Sequence, residues 1–220
     1  MADQAVSPSS SPDSARPTMV ARSSIRPRGP VATLGGWEIS QAPASGLLDL
    51  SDLTPFTKVL VKAAPSSRAA GVLACAFGRS RRTPDGALVA GTGPDEWLIL
   101  AGAGDWPGLA NEVQEVAATD ASAGELTTVV DVTHGGFLLR LAGADAHRLL
   151  EKICASDLSD GAAPDGAVFR SSVARVVCDV IREDTSGTRC YLIHGDRSTG
   201  QYLWDAVSDA GAEFSVGAAG

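Results

Sequence analysis

The chain has 220 residues, 44% of them hydrophobic, and a formal net charge of −8. The apolar content suffices for a buried core, as one domain or two small ones. The acidic balance argues against nucleic acid as a partner, because an acidic surface repels a phosphate backbone.

Residues 1–34 read as a low-complexity tail rich in Ser, Pro, Ala and Arg, expected to be disordered in isolation because it has little apolar surface to bury. It holds no apolar run of the kind a secretory signal needs. No apolar stretch approaches the ~20 residues of a spanning helix. The expected compartment is therefore the cytoplasm. Residues 35–220 read as one α+β domain, with two similar small halves dividing near Asp120.

Phe56 to Ala63 alternates, with Thr57, Val59, Val61 and Ala63 on one face and Lys58, Leu60 and Lys62 on the other. Period-two alternation predicts a strand with a largely wet lysine face. Pro84-Asp85-Gly86 and Gly93-Pro94-Asp95 are turn signals, and strands are expected at Ala87–Ala90 and Trp97–Ala101. A helix follows, with Asp105 as its cap, Pro107 in its first turn and an apolar stripe through Trp106, Leu109, Ala110, Val113, Val116 and Ala117.

Thr128–Thr133 and Phe137–Leu141 read as two strands of a hairpin turning at His134-Gly135-Gly136. Ala146, Leu149, Leu150, Ile153 and Cys154 then recur at helical spacing behind Asp145. Val168–Ile181 reads as two strands with a bend, and Cys190–His194 as another. Ser198 and Gln201 have the spacing of a capping box for a final helix, with Gly211 placed to end it in a left-handed conformation. Paired strands between single helices predict antiparallel sheets with helices on one side.

Candidate chemistry is sparse. Cys75, Cys154, Cys178 and Cys190 form no CxxC pair, so no zinc site is expected, and Cys154 and Cys178 read as core thiols. Gly102 to Gly108 follows a strand and opens a helix, but its third glycine is one residue late for a dinucleotide loop. His134, His147 and His194 have no metal-ligand spacing, and each reads as structural. Asp179 and Arg175 sit in an apolar strand, where a charge must be paired, solvated or at an interface. Trp97, Arg175, Asp196, Arg197, Tyr202 and Trp204 are the residues singled out for a partner interface, since aromatics and arginine are enriched at interface centres. No catalytic, cofactor-binding or metal-binding residue is assigned.

Five segments in order carry a resemblance: Gly93-Pro94-Asp95-Glu96-Trp97-Leu98, Val130-Asp131-Val132-Thr133-His134-Gly135, Leu139-Arg140-Leu141-Ala142-Gly143, Asp157-Leu158-Ser159, and Asp196-Arg197-Ser198 running into Tyr202-Leu203-Trp204. Across roughly Leu48 to Phe214 the chain resembles the gamma subunit of heterotetrameric sarcosine oxidase. The resemblance implies a fold similar to the folate-binding aminomethyltransferase modules. It implies alpha, beta and delta partner subunits, and an assembly that demethylates sarcosine oxidatively to glycine and hydrogen peroxide and passes a one-carbon unit to tetrahydrofolate. FAD, FMN, NAD and tetrahydrofolate are expected in the partners and none in this chain, whose role would be structural. The alternative is a stand-alone folate-binding or aminomethyltransferase-like module, which needs a pocket carboxylate from Asp131, Asp179 or Asp196.

Overall fold

The computed structural model describes residues 20–27, 29–40, 48–121, 126–214 and 216–219. Its strands are β1 (Ala21–Arg22), β2 (Val31–Leu34), β3 (Trp37–Ser40), β4 (Leu48–Asp52), β5 (Phe56–Lys62), β6 (Ser80–Arg82), β7 (Leu88–Gly93), β8 (Glu96–Ala103), β9 (Thr128–Asp131), β10 (Gly136–Ala142), β11 (Val168–Val173), β12 (Val176–Arg182), β13 (Cys190–Asp196) and β14 (Val216–Ala219). Its α-helices are α1 (Arg68–Leu73), α2 (Gly108–Ala121), α3 (Ala146–Glu151) and α4 (Gly200–Ala210).

Two sheets dominate. One has five strands in the order β6-β7-β8-β5-β9, all antiparallel. The other has six, β11-β12-β13-β10-β4-β14, antiparallel except for the last pair. Side-chain alternation sends each sheet's residues into two cores. Val59, Val61, Val89, Trp97 and Ile99 of the five-stranded sheet pack on α1 and α2 with Leu73, Leu109 and Val113. Phe137, Leu139, Leu141, Val180, Tyr191 and Ile193 of the six-stranded sheet pack with Leu149 and Leu150 of α3 and Leu203, Trp204 and Val207 of α4. The opposite faces meet in a third core, where Leu88, Ala90, Leu98 and Leu100 lie against Leu138, Val168, Ile181 and Leu192. The layers therefore run helices, sheet, sheet, helices, with each sheet covered by helices on its outer side alone, as predicted.

Several expectations change. Lys58 is fully buried and Leu60 half-buried, because the face read as wet is the one turned to the second sheet. His134-Gly135-Gly136 is no hairpin turn. β9 pairs with β5 and β10 with β13 and β4, so the chain crosses there from one sheet to the other. The crossover from the five-stranded to the six-stranded sheet falls at residues 132–135, beyond α2, which holds Asp120. β4 precedes the five-stranded sheet in sequence yet belongs to the six-stranded one.

Within the stretch read as a tail, residues 20–34 carry β1 and β2, which join β3 in a three-stranded sheet, and Ile25 reaches the core under α4. Residues 1–19 lie outside the described residues. Ser198 makes no capping box. Its N–H and hydroxyl both donate to Asp196, while Gln201 accepts from the backbone N–H of Arg26 at 2.7 Å. Gly211 ends α4 at φ −84, an ordinary right-handed conformation.

Candidate functional site

The interlayer between the two large sheets has two ends. At one end the register of β11, β12 and β13 places Arg170, Asp179 and His194 in a row. They lie two residues along from the apolar Val168, Ile181 and Leu192, and so share the face turned to the five-stranded sheet. Arg170 donates to Asp179 Oδ1 and to Glu96 Oε1 of β8, both at 2.7 Å. Lys62 lies 3.0 Å from Glu96 Oε2, and the Thr92 hydroxyl donates to Glu96 Oε1. His194 Nδ1 is 3.4 Å from Asp179 Oδ2. The chain Lys62–Glu96–Arg170–Asp179–His194 thus alternates charge and polarity and ties the sheets together.

Burial pushes the Asp179 carboxyl up, but the bonds from His194 and Arg170 outweigh it and hold it below the usual range. Burial likewise pushes Glu96 up, and Arg170, Lys62 and Thr92 bring it below normal. His194 Nε2 is buried without a hydrogen-bond partner and faces Gly136, where a Cβ would stand 2.6 Å from it. Only glycine fits that approach. Beside this chain lies a cleft of about 340 Å³, lined in part by Leu60, Val132, Val177 and Asp196.

Lys58 lies on the same face of β5. Its ammonium donates to the carbonyls of Thr54 and Phe56 at 2.7 Å each, and Thr133 Oγ1 accepts from its backbone N–H at 3.0 Å. Desolvation lowers its pKa to about 8, against the raising fields of Asp52 and Asp131. No sequence signal separates this lysine from a solvated one, because both alternate identically.

The residues singled out for an interface divide. Trp97 is in the core under α1 and α2, with Nε1 donating to the carbonyl of Cys75 at 2.7 Å. Trp204 is fully buried under the six-stranded sheet. Neither presents a surface. Arg175 is exposed at the β11–β12 turn, where Ala174 and Arg175 have φ of 46 and 69. It sits in the bend, not within a strand. Tyr202 is 53% exposed, and its hydroxyl donates to the carbonyl of Ala174 at 3.0 Å, so it adjoins Arg175.

Asp196 and Arg197 lie elsewhere, at the end of β13. Asp196 Oδ1 accepts from the backbone N–H of Ser198 at 2.8 Å. Arg197 stands over the ring of Trp37, which stacks on His134 at 4.6 Å, and donates to the carbonyl of Arg22. The Gly102 loop does not suit a phosphate. Asp85 accepts from the N–H of Gly108 at the start of α2, so a carboxylate already holds that position, and Asp105 turns a second carboxylate against Gly102. Among the described residues no group of three or more His, Cys, Asp and Glu side chains is placed to hold a metal ion.

The family model of the GCVT N-terminal domain matches residues 74–220. The sarcosine oxidase subunit gamma of Arthrobacter sp is 32% identical over 149 residues, covering 64% of this chain and 69% of that subunit. The chain belongs to the sarcosine oxidase gamma-subunit family, and carries its GCVT N-terminal domain. Its fold is shared with the heterotetrameric sarcosine oxidase from Corynebacterium sp. U-96 in complex with pyrrole 2-carboxylate, at a TM-score of 0.66 and 23% identity over 78% of this chain and 88% of the matched one. It is shared also with the glycine cleavage system aminomethyltransferase T from Bartonella henselae, at 0.62 and 14% identity over 81% of this chain. The gamma-family chain spans 53% of that aminomethyltransferase.

The aminomethyltransferase likeness directs attention to the carboxylates. In this gamma-family chain Asp179 Oδ1 accepts from Arg170 and Oδ2 faces His194 Nδ1. Asp131, at the exposed end of β9, accepts from the N–H of Thr133 through Oδ1, and Asp196 accepts from the N–H and hydroxyl of Ser198 through Oδ1.

Proposed function

We infer that this chain is a non-catalytic assembly subunit of a heterotetrameric sarcosine oxidase, held with alpha, beta and delta subunits. In that reading the whole assembly demethylates sarcosine to glycine, with hydrogen peroxide formed and a one-carbon unit passed to tetrahydrofolate. FAD, FMN, NAD and tetrahydrofolate belong to the partners. The relationship to the Arthrobacter subunit gamma carries the reading. It is supported by the side chains themselves: Asp179, Glu96 and Asp196 are each engaged in bonds within the chain. The exposed Arg175 and Tyr202, brought together at the β11–β12 turn by the bond from the Tyr202 hydroxyl to the carbonyl of Ala174, are the proposed partner contact, a tyrosine beside an arginine.

Co-expression with the neighbouring alpha and beta subunits tests this, followed by size exclusion and a flavin spectrum of each peak. The reading expects the chain to co-elute with a flavin-bearing assembly that oxidises sarcosine. Elution alone as a stable monomer, with folate binding by calorimetry, would overturn it.

A further inference from the structure

The other end of the interlayer is built differently. Beyond the packed Leu98, Ala90, Val168 and Ile181, the sheets part over a hollow of about 280 Å³. Its floor is Leu53, Phe56, Leu88, Leu100, Leu138 and Leu192. This volume is close to the ~300 Å³ at which small-molecule sites begin, and an apolar lining with few polar groups is their usual composition.

The polar groups are confined to the rim. Arg82 of β6 makes a two-point pair with Glu183, which follows β12, at 2.6 and 2.9 Å, and donates to the carbonyl of Gly86. That pair joins one sheet to the other and leaves Glu183 neutralised. Arg140 of β10 lies on the same face as Leu138 and lines the hollow. One of its terminal nitrogens donates to Asp49 Oδ2 at 2.6 Å. A guanidinium has five N–H donors in a planar fork, so this bond leaves donors over. Its side chain is 30% exposed, which places the charge at the mouth and not in the floor. Burial pushes the nearby Cys190 thiol up, against the lowering field and hydrogen bond of Arg140, so it adds no negative charge there.

We propose that this hollow is a binding site for a small hydrophobic carboxylate, with an aromatic or short branched body on the leucine floor and its carboxylate on Arg140. The body exchanges water contact for apolar contact on both sheets. The carboxylate meets a partly desolvated guanidinium, where a charge-assisted bond is stronger than a neutral one. The site is separate from the Asp179–His194 cleft, since none of its lining residues is shared with it. It does not depend on the subunit reading.

The probe is 1-naphthoate, with 1-naphthamide as its neutral counterpart. Both are titrated by calorimetry into the full-length chain, in its co-purified assembly if that is how it is isolated. Wild type is expected to bind 1-naphthoate at one site per chain. Arg140→Gln should weaken naphthoate by roughly tenfold, the scale of a lost bond to a charged group, and leave naphthamide within about twofold. Leu100→Trp, which fills the hollow, should abolish binding of both at this site. Should Leu100→Trp fail to fold, methyl NMR of the wild-type chain decides: naphthoate should shift the methyls of Leu88, Leu100, Leu138 and Leu192. Absence of binding, binding that survives Leu100→Trp, or shifts confined to other methyls would overturn the site. Equal losses of naphthoate and naphthamide on Arg140→Gln would overturn the carboxylate.

Discussion

The two ends of the interlayer solve the same problem in opposite ways. At the Asp179 end, side chains from β5, β8, β11, β12 and β13 meet in a chain of alternating charge. Each link is directional, and a slip of one residue would turn every member to the wrong face. At the Arg140 end the contacts are apolar and non-directional, and charge is held to the rim. A sheet pair whose register is fixed at one end can leave the other incompletely packed without losing its alignment. Buried charge of this kind is weak evidence for stability and better evidence for specificity.

The comparison can be broken from its middle outward. Leu98, 1% exposed, separates the two ends. Leu98→Ala should cost about 3–4 kcal/mol, the scale of a buried leucine leaving a closed cavity. A urea midpoint shift with unchanged slope measures it, and a loss below that of Leu100→Ala would contradict this role of Leu98. Next comes Lys58, whose folded pKa of about 8 lies below its ordinary 10.5. Between those values the unfolded chain binds more protons, so stability rises with pH across that window as the buried charge is relieved. Against Lys58→Met, the wild type should gain about 3 kcal/mol from pH 8 to pH 10.5. A difference between the two that stays flat with pH would show the ammonium to be solvated.

Asp179→Ala should cost about 2–3 kcal/mol, because it leaves Arg170 and the buried His194 without their shared partner. The figure sits below that for a fully buried pair because Arg170 is 48% exposed. Leu100→Ala should cost only about 2 kcal/mol, since the space it vacates opens into an existing hollow. Smallest is Arg82→Gln at the rim, under ~1 kcal/mol for a pair that is 57% exposed on the arginine side. A larger loss there would mean that the rim, and not the charged chain, sets the spacing of the sheets.

Local pattern carried much of the fold. The alternation of Phe56–Lys62 placed β5 directly, and the helical spacing from Ala146 placed α3, which ends at Glu151, short of Ile153 and Cys154. What alternation cannot encode is what each face meets. Lys58 reads as a solvent marker, yet its stem lies against a second sheet and its ammonium finds two carbonyls. His134-Gly135-Gly136 has the composition of a hairpin turn, but strand partners are chosen by long-range pairing. β4 went unread because five residues with a half-buried pattern give little periodicity.

The site followed the same rule. Asp179 was legible as a charge needing a partner. Arg170 and Glu96, its circuit, were not, since only the register and the packing of the sheets join them. Trp97 and Trp204 suit a core or an interface by sequence, a core more readily, and both lie in cores, since a large aromatic has the same letter inside and out. The leucines of the Arg140 hollow carry no local mark at all.

The placement of β4 has a consequence for how the molecule is made. It is synthesised before the five-stranded sheet, but both of its neighbours, β10 and β14, come after it. On the ribosome β5 to β9 can pair among themselves as they emerge, while β4 waits with both edges bare. An unpaired strand edge during synthesis is an aggregation hazard. Here the wait covers the whole of the inserted sheet. Cutting the gene at the crossover would strand β4 on the wrong fragment, so the two fragments should recover the fold only when mixed. The five-stranded sheet behaves as a guest enclosed by its host, and the host completes itself last.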